Sequence, residues 1–393
     1  MALHVNHPFA ELAFACISDR PAGEKRELLR NLYTSDHDLE LFSFAQENEI
    51  SPQIAHALQD SLGGRTPAHW VEAHDTTGRT IRTYLAELDR VASVLASREI
   101  RMAALKNTGI ARGIHPCPGC SPMGDLDVLV DRPRFQEAHG LLLGEGYIPE
   151  RSFRSTRVAN VDLDASELGG GVEYSKTLPG GSELCFELHW RPIAGRWIQP
   201  DQEPSGSDLL GRSIEIPGTP VRLLSPVDNL LQVALHTAKH TYVRPPGLRL
   251  HTDVDRIVRR QSIDWDVFVH RVKELRVCTA VYFSLVIPQQ FLGTPIPETV
   301  FSQLRPSRKR RNWLEARLNR AGLLFPHQKK FSNGEYILFT ALLYDNVDSL
   351  RRSIFPDAQS MRQQYGFQSR WAVPFYHFKR LASLIWHDER RTL

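Results

Sequence analysis

Asp125 and Asp127 are separated by one apolar residue, and this spacing is the clearest indication of chemistry in the sequence. The segment Gly124–Val130 alternates acidic with apolar residues and then becomes continuously apolar, which is typical of a strand that enters a core. Side chains two residues apart on a strand point to the same face, so the carboxylates would lie side by side. Such charges repel each other unless a cation or a proton lies between them. The pair therefore indicates a divalent metal site, with a solvated strand end as the alternative interpretation.

A third carboxylate, Glu187, lies in the middle of a later segment that alternates in the same way. One face of that segment carries Leu184, Phe186, Leu188 and Trp190, and the other carries Glu183, Cys185, Glu187 and His189. The preceding run, residues 171 to 178, is joined to it by Pro179-Gly180-Gly181, which predicts a hairpin of antiparallel strands. The mid-strand position favours Glu187, rather than Glu183 or Glu173, as the acid that needs a cation.

A polar turn, Lys106-Asn107-Thr108-Gly109, precedes a loop rich in glycine and proline over residues 113 to 124. That loop leads to the first aspartate. We predict that the turn ends a helical stretch over Ile100–Leu105. Backbone amides in such a turn, with a lysine beside them, favour the binding of phosphate groups.

These segments, taken in this order, resemble the DNA polymerase β-type nucleotidyltransferase superfamily, and more closely the bacterial "uncharacterised nucleotidyltransferase" family. The resemblance is carried by Leu105-Lys106, Met123–Val130, Glu187–Trp190, Ser225–Leu231 and Leu235–His240. It covers about half of the chain in separated pieces. One departure is the turn: a glycine follows the lysine in the closer family, whereas Asn107 and Thr108 precede Gly109 here. The amide cradle is therefore either shifted by two residues or degraded.

The resemblance implies an α+β fold, with a polymerase β-type core of mixed sheet and flanking helices between N- and C-terminal helical regions. It implies Mg²⁺- or Mn²⁺-dependent transfer of an NMP group from an NTP to an acceptor hydroxyl, with release of pyrophosphate. The acceptor would be a peptide or protein, a sugar or a small molecule. The alternative function is a catalytically weak nucleotide- or peptide-binding scaffold in a biosynthetic or maturation pathway.

The resemblance also implies roles for particular residues. Asp125, Asp127 and Glu187 would be the catalytic metal ligands. Lys106 would hold the β- and γ-phosphates, and Asn107, Thr108, Gly109 and Gly124 would line the nucleotide site. His189 would contact a phosphate or the acceptor, and a hydrogen bond within the core is the equal alternative.

His236 and His240 lie four residues apart on a predicted helix, with Lys239 at the margin of the same face. A hydrogen-bonded helix surface is the preferred interpretation, ahead of metal ligation, because no third ligand or acid is evident on the helix. The resemblance adds a third option, in which the three side chains face the triphosphate or the base. Asp253 and Asp255 would then orient them or simply occupy polar helix positions.

The chain divides by pattern into three regions, at residues 1–85, 86–222 and 223–393. The first is predicted to be helical, over Glu24–Leu32, Leu39–Glu49 and Pro52–Leu62 and from Trp70 as far as Glu99. The second is the nucleotidyltransferase core, with a helix over Pro133–Glu145. The third is a helical domain that opens at Ser225-Pro226-x-Asp228, a strong helix start.

A composition of 41% hydrophobic and 24% charged residues is typical of a globular protein, and a net charge of +3 gives no argument for nucleic acid as a partner. The start of the chain has no leader pattern, and apolar runs such as Val277–Ile287 are too short to span a membrane. We therefore expect a cytoplasmic protein. Cys117-Pro118-Gly119-Cys120 has the spacing of a zinc knuckle or a redox pair, but without a second ligand pair nearby in sequence a structural turn is preferred.

Overall fold

The computed structural model describes residues 3–149, 170–193, 202–356, 358–367 and 369–386. Its α-helices are α1 Ala10–Ile17, α2 Ala22–Leu32, α3 Asp38–Glu47, α4 Ser51–Leu62, α5 Ala68–Ala96, α6 Lys106–Gly113, α7 Phe135–Gly144, α8 Gly206–Gly211, α9 Pro226–Lys239, α10 Leu248–Arg260, α11 Trp265–Glu274, α12 Cys278–Leu292, α13 Glu298–Leu304, α14 Arg308–Ala321, α15 Asn333–Ala341, α16 Val347–Ile354, α17 Ala358–Tyr365 and α18 Val373–Trp386. Its strands are β1 Met102–Ala104, β2 Asp125–Val130, β3 Ile148–Pro149, β4 Gly171–Thr177, β5 Glu183–His189, β6 Ile214–Glu215 and β7 Arg222–Leu223.

The strands form one mixed sheet in the order β3-β4-β5-β2-β1-β7-β6. The central strand, β2, is parallel to β5 and antiparallel to β1, while β1 is parallel to β7. β4 and β5 form the antiparallel hairpin that the sequence predicts. Helices flank this sheet in the chain and in space, so the prediction of an α+β fold is confirmed.

The two faces of the sheet differ in chemistry. One face packs against α5 and α7, and its core contains Leu126, Val128 and Val130 of β2, Leu184, Phe186 and Leu188 of β5, and Ile81, Leu88 and Phe135 of the helices. Each apolar side chain of this size contributes about 1.5 to 3 kcal/mol when fully buried. Because the side-chain period of a strand is two, the register that buries these residues also directs the acidic residues to the opposite face.

The helices before and after the sheet share a second core. It joins side chains of α1, α3 and α4 to those of α9 through α14, including Phe44, Ile54, Leu58, Leu230, Phe283 and Leu314. Ser18 Oγ donates to Leu292 O at 3.0 Å, and Phe325 N donates to Asn48 Oδ1 at 2.6 Å, so polar contacts tie the same parts together. The boundaries at residues 85 and 222 stay a prediction, although α5 runs through residue 85 without a break.

One local prediction is wrong. The stretch Ile100–Leu105 is not helical but contains β1, and Lys106 begins α6 instead of following a helix. β1 is three fully buried residues without a β-branched side chain, so nothing in its composition favours a strand. Its structure depends on pairing with β2 and β7, which local sequence does not reveal.

Among the residues that the structure describes, no helix has both the length and the apolar composition needed to cross a membrane.

Candidate active site

The parallel pairing of β2 with β5 brings the predicted acids together. In this register Asp127 lies opposite Glu187, and Asp125 lies opposite Cys185. Residues that are paired across parallel strands point to the same face, so all three carboxylates lie on the face away from α5 and α7. Asp127 is only 4% exposed, so its charge must be compensated by neighbouring groups.

Lys106 supplies much of that compensation. Its Nζ lies 2.5 Å from Asp127 Oδ1 and 3.8 Å from Glu187 Oε2. The lysine is the first residue of α6, one residue after the end of β1, and its φ of 49° is in the left-handed region that non-glycine residues seldom adopt. This sharp change of direction from strand to helix aims the side chain across the sheet at the acids. The backbone is fixed beside it, because Thr108 Oγ1 accepts a hydrogen bond from Asp127 N at 2.9 Å.

The imidazole of His189 contacts the carboxylates of both Asp127 and Glu187. Its Nε2 is 2.9 Å from both Asp127 Oδ1 and Glu187 Oε2. The ring has room because residue 171, opposite it on β4, is glycine: a Cβ there would lie 2.7 Å from His189 Nδ1. His189 thus lies within hydrogen-bonding distance of the buried Asp127 and the partly exposed Glu187, and its contact with a phosphate or the acceptor stays a prediction. The sequence analysis did not identify Gly171 as a residue that the site requires. The one sequence feature that could have indicated it is the glycine at the start of the predicted strand.

Three carboxylates and two basic side chains lie close enough in the site to shift one another's pKa. The charge of Asp127, together with burial, raises the pKa of Asp125 to about 7. Burial opposes the charge on Lys106, but the carboxylates of Asp127, Glu187 and Asp125 outweigh it and raise the pKa of the lysine. Burial likewise opposes the charge on His189, and its hydrogen bonds to Asp127 and Glu187 raise its pKa above the usual value. Near neutral pH the cluster therefore retains protons that it would exchange for a cation.

This donor set fits a divalent metal ion. Asp127, Glu187 and His189 each offer one ligand atom, and those atoms lie within 4.8 Å of one another. Asp125 adds a carboxylate on the same strand face, and carboxylate oxygens are the ligands that Mg²⁺ prefers. The repulsion that keeps a proton on Asp125 is the conflict that a bound cation would relieve.

The predicted phosphate turn is built differently from its expected form. Asn107 Nδ2 donates to Pro122 O at 2.9 Å, so its side chain holds the loop before β2. The Gly109 amide donates to Leu105 O at 3.1 Å, inside the first turn of α6, so this amide is already engaged within the helix. Gly109 also packs closely, since a Cβ there would lie 2.9 Å from Ala104 O. Gly124 is exposed, with open space where a side chain would be.

The three candidates at the C-terminal end of α9 lie within electrostatic reach of Lys106, and Lys239 is also within reach of the acids. Burial and the charge of Lys106 hold the pKa of His236 well below its usual value. Burial and Lys106 also lower the pKa of Lys239, and Glu187 and Asp127 partly oppose this. The pKa of His240 falls to about 3, through burial and the charge of Lys239, and its ring centroid lies 4.7 Å from that of His236.

The helix that carries these residues begins as predicted, with Ser225 Oγ accepting a hydrogen bond from Asp228 N. The aspartates of α10 have other roles than orienting the histidines. Asp255 Oδ1 accepts hydrogen bonds from Arg259 and Thr294, and Asp255 Oδ2 accepts one from the amide of Asp19. Burial raises the pKa of Asp253 to about 7, against the charges of Arg256 and Arg249.

A family model described as "Uncharacterised nucleotidyltransferase" matches residues 35–293, which is more than half of the chain. The chain belongs to this nucleotidyltransferase family. The resemblance seen in the sequence is thereby confirmed. No curated protein matches the chain. The range matched by the family model includes the whole sheet and α9, and therefore every residue of the candidate site.

Proposed function

We propose that the protein is a divalent-metal-dependent nucleotidyltransferase that moves an NMP group from an NTP to an acceptor hydroxyl and releases pyrophosphate. The observation that carries this proposal is the register of β2 with β5, which gathers three carboxylates beside a buried lysine. Family membership supports nucleotidyl transfer, and the acidic donor set supports the metal.

Asp125, Asp127 and Glu187 would hold Mg²⁺ or Mn²⁺, which when bound neutralises the triphosphate and lowers the pKa of the acceptor hydroxyl. His189 is a positioning residue, because its Nε2 bridges Asp127 and Glu187 and fixes the direction of both carboxylates. The buried acids gain from this, since carboxylates that are already oriented need no reorganisation during the reaction.

Lys106 would exchange partners during substrate binding. Without substrate its ammonium is held by Asp127 and Glu187. The same ammonium would bind oxygens of the β- and γ-phosphates as a point charge when Asp127 and Glu187 serve as metal ligands. Lys239 with the neutral imidazoles of His236 and His240, at the C-terminal end of α9, would contact the triphosphate or the base.

The test is pyrophosphate release from the common NTPs with Mg²⁺, in the presence of peptide and saccharide fractions as acceptors. Glu187→Gln should remove the release of pyrophosphate. Glu183→Gln is the matched control, because Glu183 shares the strand face but is exposed. Its carboxylate accepts a hydrogen bond from Thr177 Oγ1, away from Lys106 and His189. Loss of activity in Glu183→Gln, with activity retained in Glu187→Gln, would refute the assignment.

A second candidate function is a nucleotide-binding scaffold without turnover, and it is favoured by the turn in which the Gly109 amide is already bonded to Leu105 O. A scaffold would bind Mg²⁺-NTP, as seen by calorimetry, but would release no pyrophosphate with any acceptor fraction. Measurement of both Mg²⁺-NTP binding and pyrophosphate release therefore distinguishes the transferase from the scaffold.

A further inference from the structure

A second group of metal-ligating side chains lies outside the acidic site. His56 of α4, His74 of α5, and Cys117 and Cys120 of the turn before β2 each offer one ligand atom, and these atoms lie within 4.8 Å of one another. His74 Nε2 is 3.1 Å from Cys117 Sγ, and His56 Nδ1 is 3.9 Å from the same sulfur. Three separate parts of the chain thus converge on one point.

We propose that this Cys₂His₂ cluster is a structural zinc site. Tetrahedral bonds of about 2.0 to 2.3 Å place neighbouring ligand atoms about 3.3 to 3.8 Å apart. The two histidine-to-Cys117 separations, 3.1 and 3.9 Å, are close to this range, and the remaining ligand atoms lie within 4.8 Å of one another. Two thiolates with two imidazoles are a typical set for structural Zn²⁺, because all four positions are filled by the protein. The sequence showed only the two cysteines, since the histidines come from distant helices.

The surroundings of the two imidazoles suit metal ligation. His56 Nε2 lies 3.7 Å from Asp60 Oδ2, and His74 Nδ1 lies 3.7 Å from Asp75 Oδ1. In each ring the nitrogen that faces away from the cluster therefore has a carboxylate nearby. Both distances exceed a hydrogen bond, and a closer approach on metal binding would make each carboxylate the usual outer partner that fixes the tautomer of a zinc-bound histidine.

Gly119 makes the close approach possible. A Cβ at this position would lie 2.3 Å from His74 Nε2, so a side chain here would push the imidazole out of the cluster. A redox pair of cysteines requires no histidine from two other helices and no such clearance. The convergence of His56 and His74 therefore favours a metal site over a disulfide for Cys117 and Cys120.

The site would fasten the loop that leads to the catalytic strand. Cys120 O accepts a hydrogen bond from Arg256 Nη2 at 2.7 Å, and Pro122 O accepts one from Arg249 Nη1 at 2.7 Å. Asp125 follows three residues after Pro122. Zinc would add α4 and α5 to these ties, so the entry to β2 would be held from both the N-terminal helices and α10.

The experiment is metal analysis of the full-length protein purified without chelators. We expect one zinc ion per chain, falling to background in Cys117→Ser and in His74→Ala. The matched controls are Cys278→Ser and His37→Ala, which remove the same ligand types elsewhere and should retain zinc. Asp125→Asn should also retain zinc, which keeps this site distinct from the acidic one.

Co²⁺ exchange into the wild-type protein provides a readout that does not depend on the folding of variants. We expect tetrahedral d–d absorption together with sulfur-to-cobalt charge-transfer bands. Absence of zinc together with five freely reactive thiols in unfolded protein would overturn the proposal. A Cys117–Cys120 disulfide found by mass spectrometry in protein purified without oxidant would overturn it as well.

Discussion

Lys106 is the residue on which the charge balance of the acidic site depends. Its ammonium lies against Asp127 and Glu187, where only a small part of its side chain is exposed. The sequence placed this lysine near phosphate and predicted no structural role for it. The structure adds that role, because removal of one member of a buried pair leaves the other charge without compensation.

Lys106→Ala should therefore have two effects. The variant should bind Mg²⁺-NTP more weakly by about 1.5 to 3 kcal/mol, the range for a hydrogen bond to a charged group. It should also melt at a lower temperature without metal, and Mg²⁺ should recover part of that loss. Calorimetric titration and thermal melts measure both effects.

Lys176→Ala is the matched control, because Lys176 Nζ binds the buried acid Glu87 at 2.9 Å away from the site. This control should lower the melting temperature and leave nucleotide affinity unchanged. Equal nucleotide affinity in Lys106→Ala and wild type would remove Lys106 from the phosphate site.

Asp125 and Asp127 should respond differently to neutralisation. The pKa of Asp125 is about 7 in the folded protein against 3.8 for the free group, so between these pH values only the folded state holds the proton. Stability from this group is complete below pH 4 and is lost as pH rises towards 7. In EDTA at pH 8, Asp125→Asn should raise the free energy of unfolding by about 1 to 4 kcal/mol.

Asp127→Asn should lower that free energy instead, because Asp127 accepts from both Lys106 and His189. Both variants should lose transferase activity. Urea unfolding across pH 5 to 8 tests the contrast, and a stabilising Asp127→Asn would contradict it.

At the scale of single residues, the sequence predicts those functional side chains whose position follows from the two-residue period of a strand. Asp125, Asp127 and Glu187 were identified because alternation along a strand assigns each side chain to a face. The bridging position of His189 Nε2 could not be derived, since it depends on the pairing of β2 with β5 and on space at Gly171.

At the scale of elements, the junction of β1 with α6 and the pairing of β4 with β5 position the site. The hairpin was predictable because its turn residues and alternation are local. β1 was not, because a three-residue strand of methionine and alanine is defined by its neighbours in the sheet. The helix prediction around Lys106 failed for that reason.

Gly171→Ala tests the hairpin's part in the site. The added methyl group would lie 2.7 Å from His189 Nδ1, so the imidazole must move away from Asp127 and Glu187. We expect a loss of about 1 to 3 kcal/mol in stability, as for other overpacked cores, and a lower rate of pyrophosphate release. Melts and the activity assay measure the two effects.

Gly140→Ala is the control for this substitution, because an added Cβ meets no neighbouring atom in α7. The control should be neutral or stabilising by up to about 1 kcal/mol, since alanine favours a helix. If Gly171→Ala behaved like this control, His189 would not need the clearance that the geometry indicates.

At the scale of the whole molecule, the N-terminal helices and α9 through α14 complete one core. Asp19 pairs with Arg260 and Asn48 caps the amide of Phe325, so the contact is both polar and apolar. Each region was predicted to be helical from its own periodicity. That they pack on each other could not be predicted, because periodicity shows which face is apolar but not what covers it.

Removal of residues 1–67 should prevent cooperative folding of the remainder, because α12 would lose its partner α1 and the core shared with α9 through α14 would lose the side chains of α1, α3 and α4. Co-expression of 1–67 with 68–393 should restore a complex. Removal of residues 358–393 is the control, since the core as described ends at Leu343, and it should have a smaller effect. Thermal melts followed by circular dichroism measure whether each fragment unfolds cooperatively. A stable 68–393 fragment would support separate domains.

The shared core also sets an order for synthesis. Leu58 is complete long before Leu230 leaves the ribosome, and the intervening residues require about 9 to 34 s at 5 to 20 residues per second. During that interval α1, α2, α4 and α5 can pack on one another, but the apolar surface that the later helices cover stays exposed. We therefore expect chaperones to bind the nascent chain until these helices emerge, and pauses in translation before residue 226 to prolong that exposure.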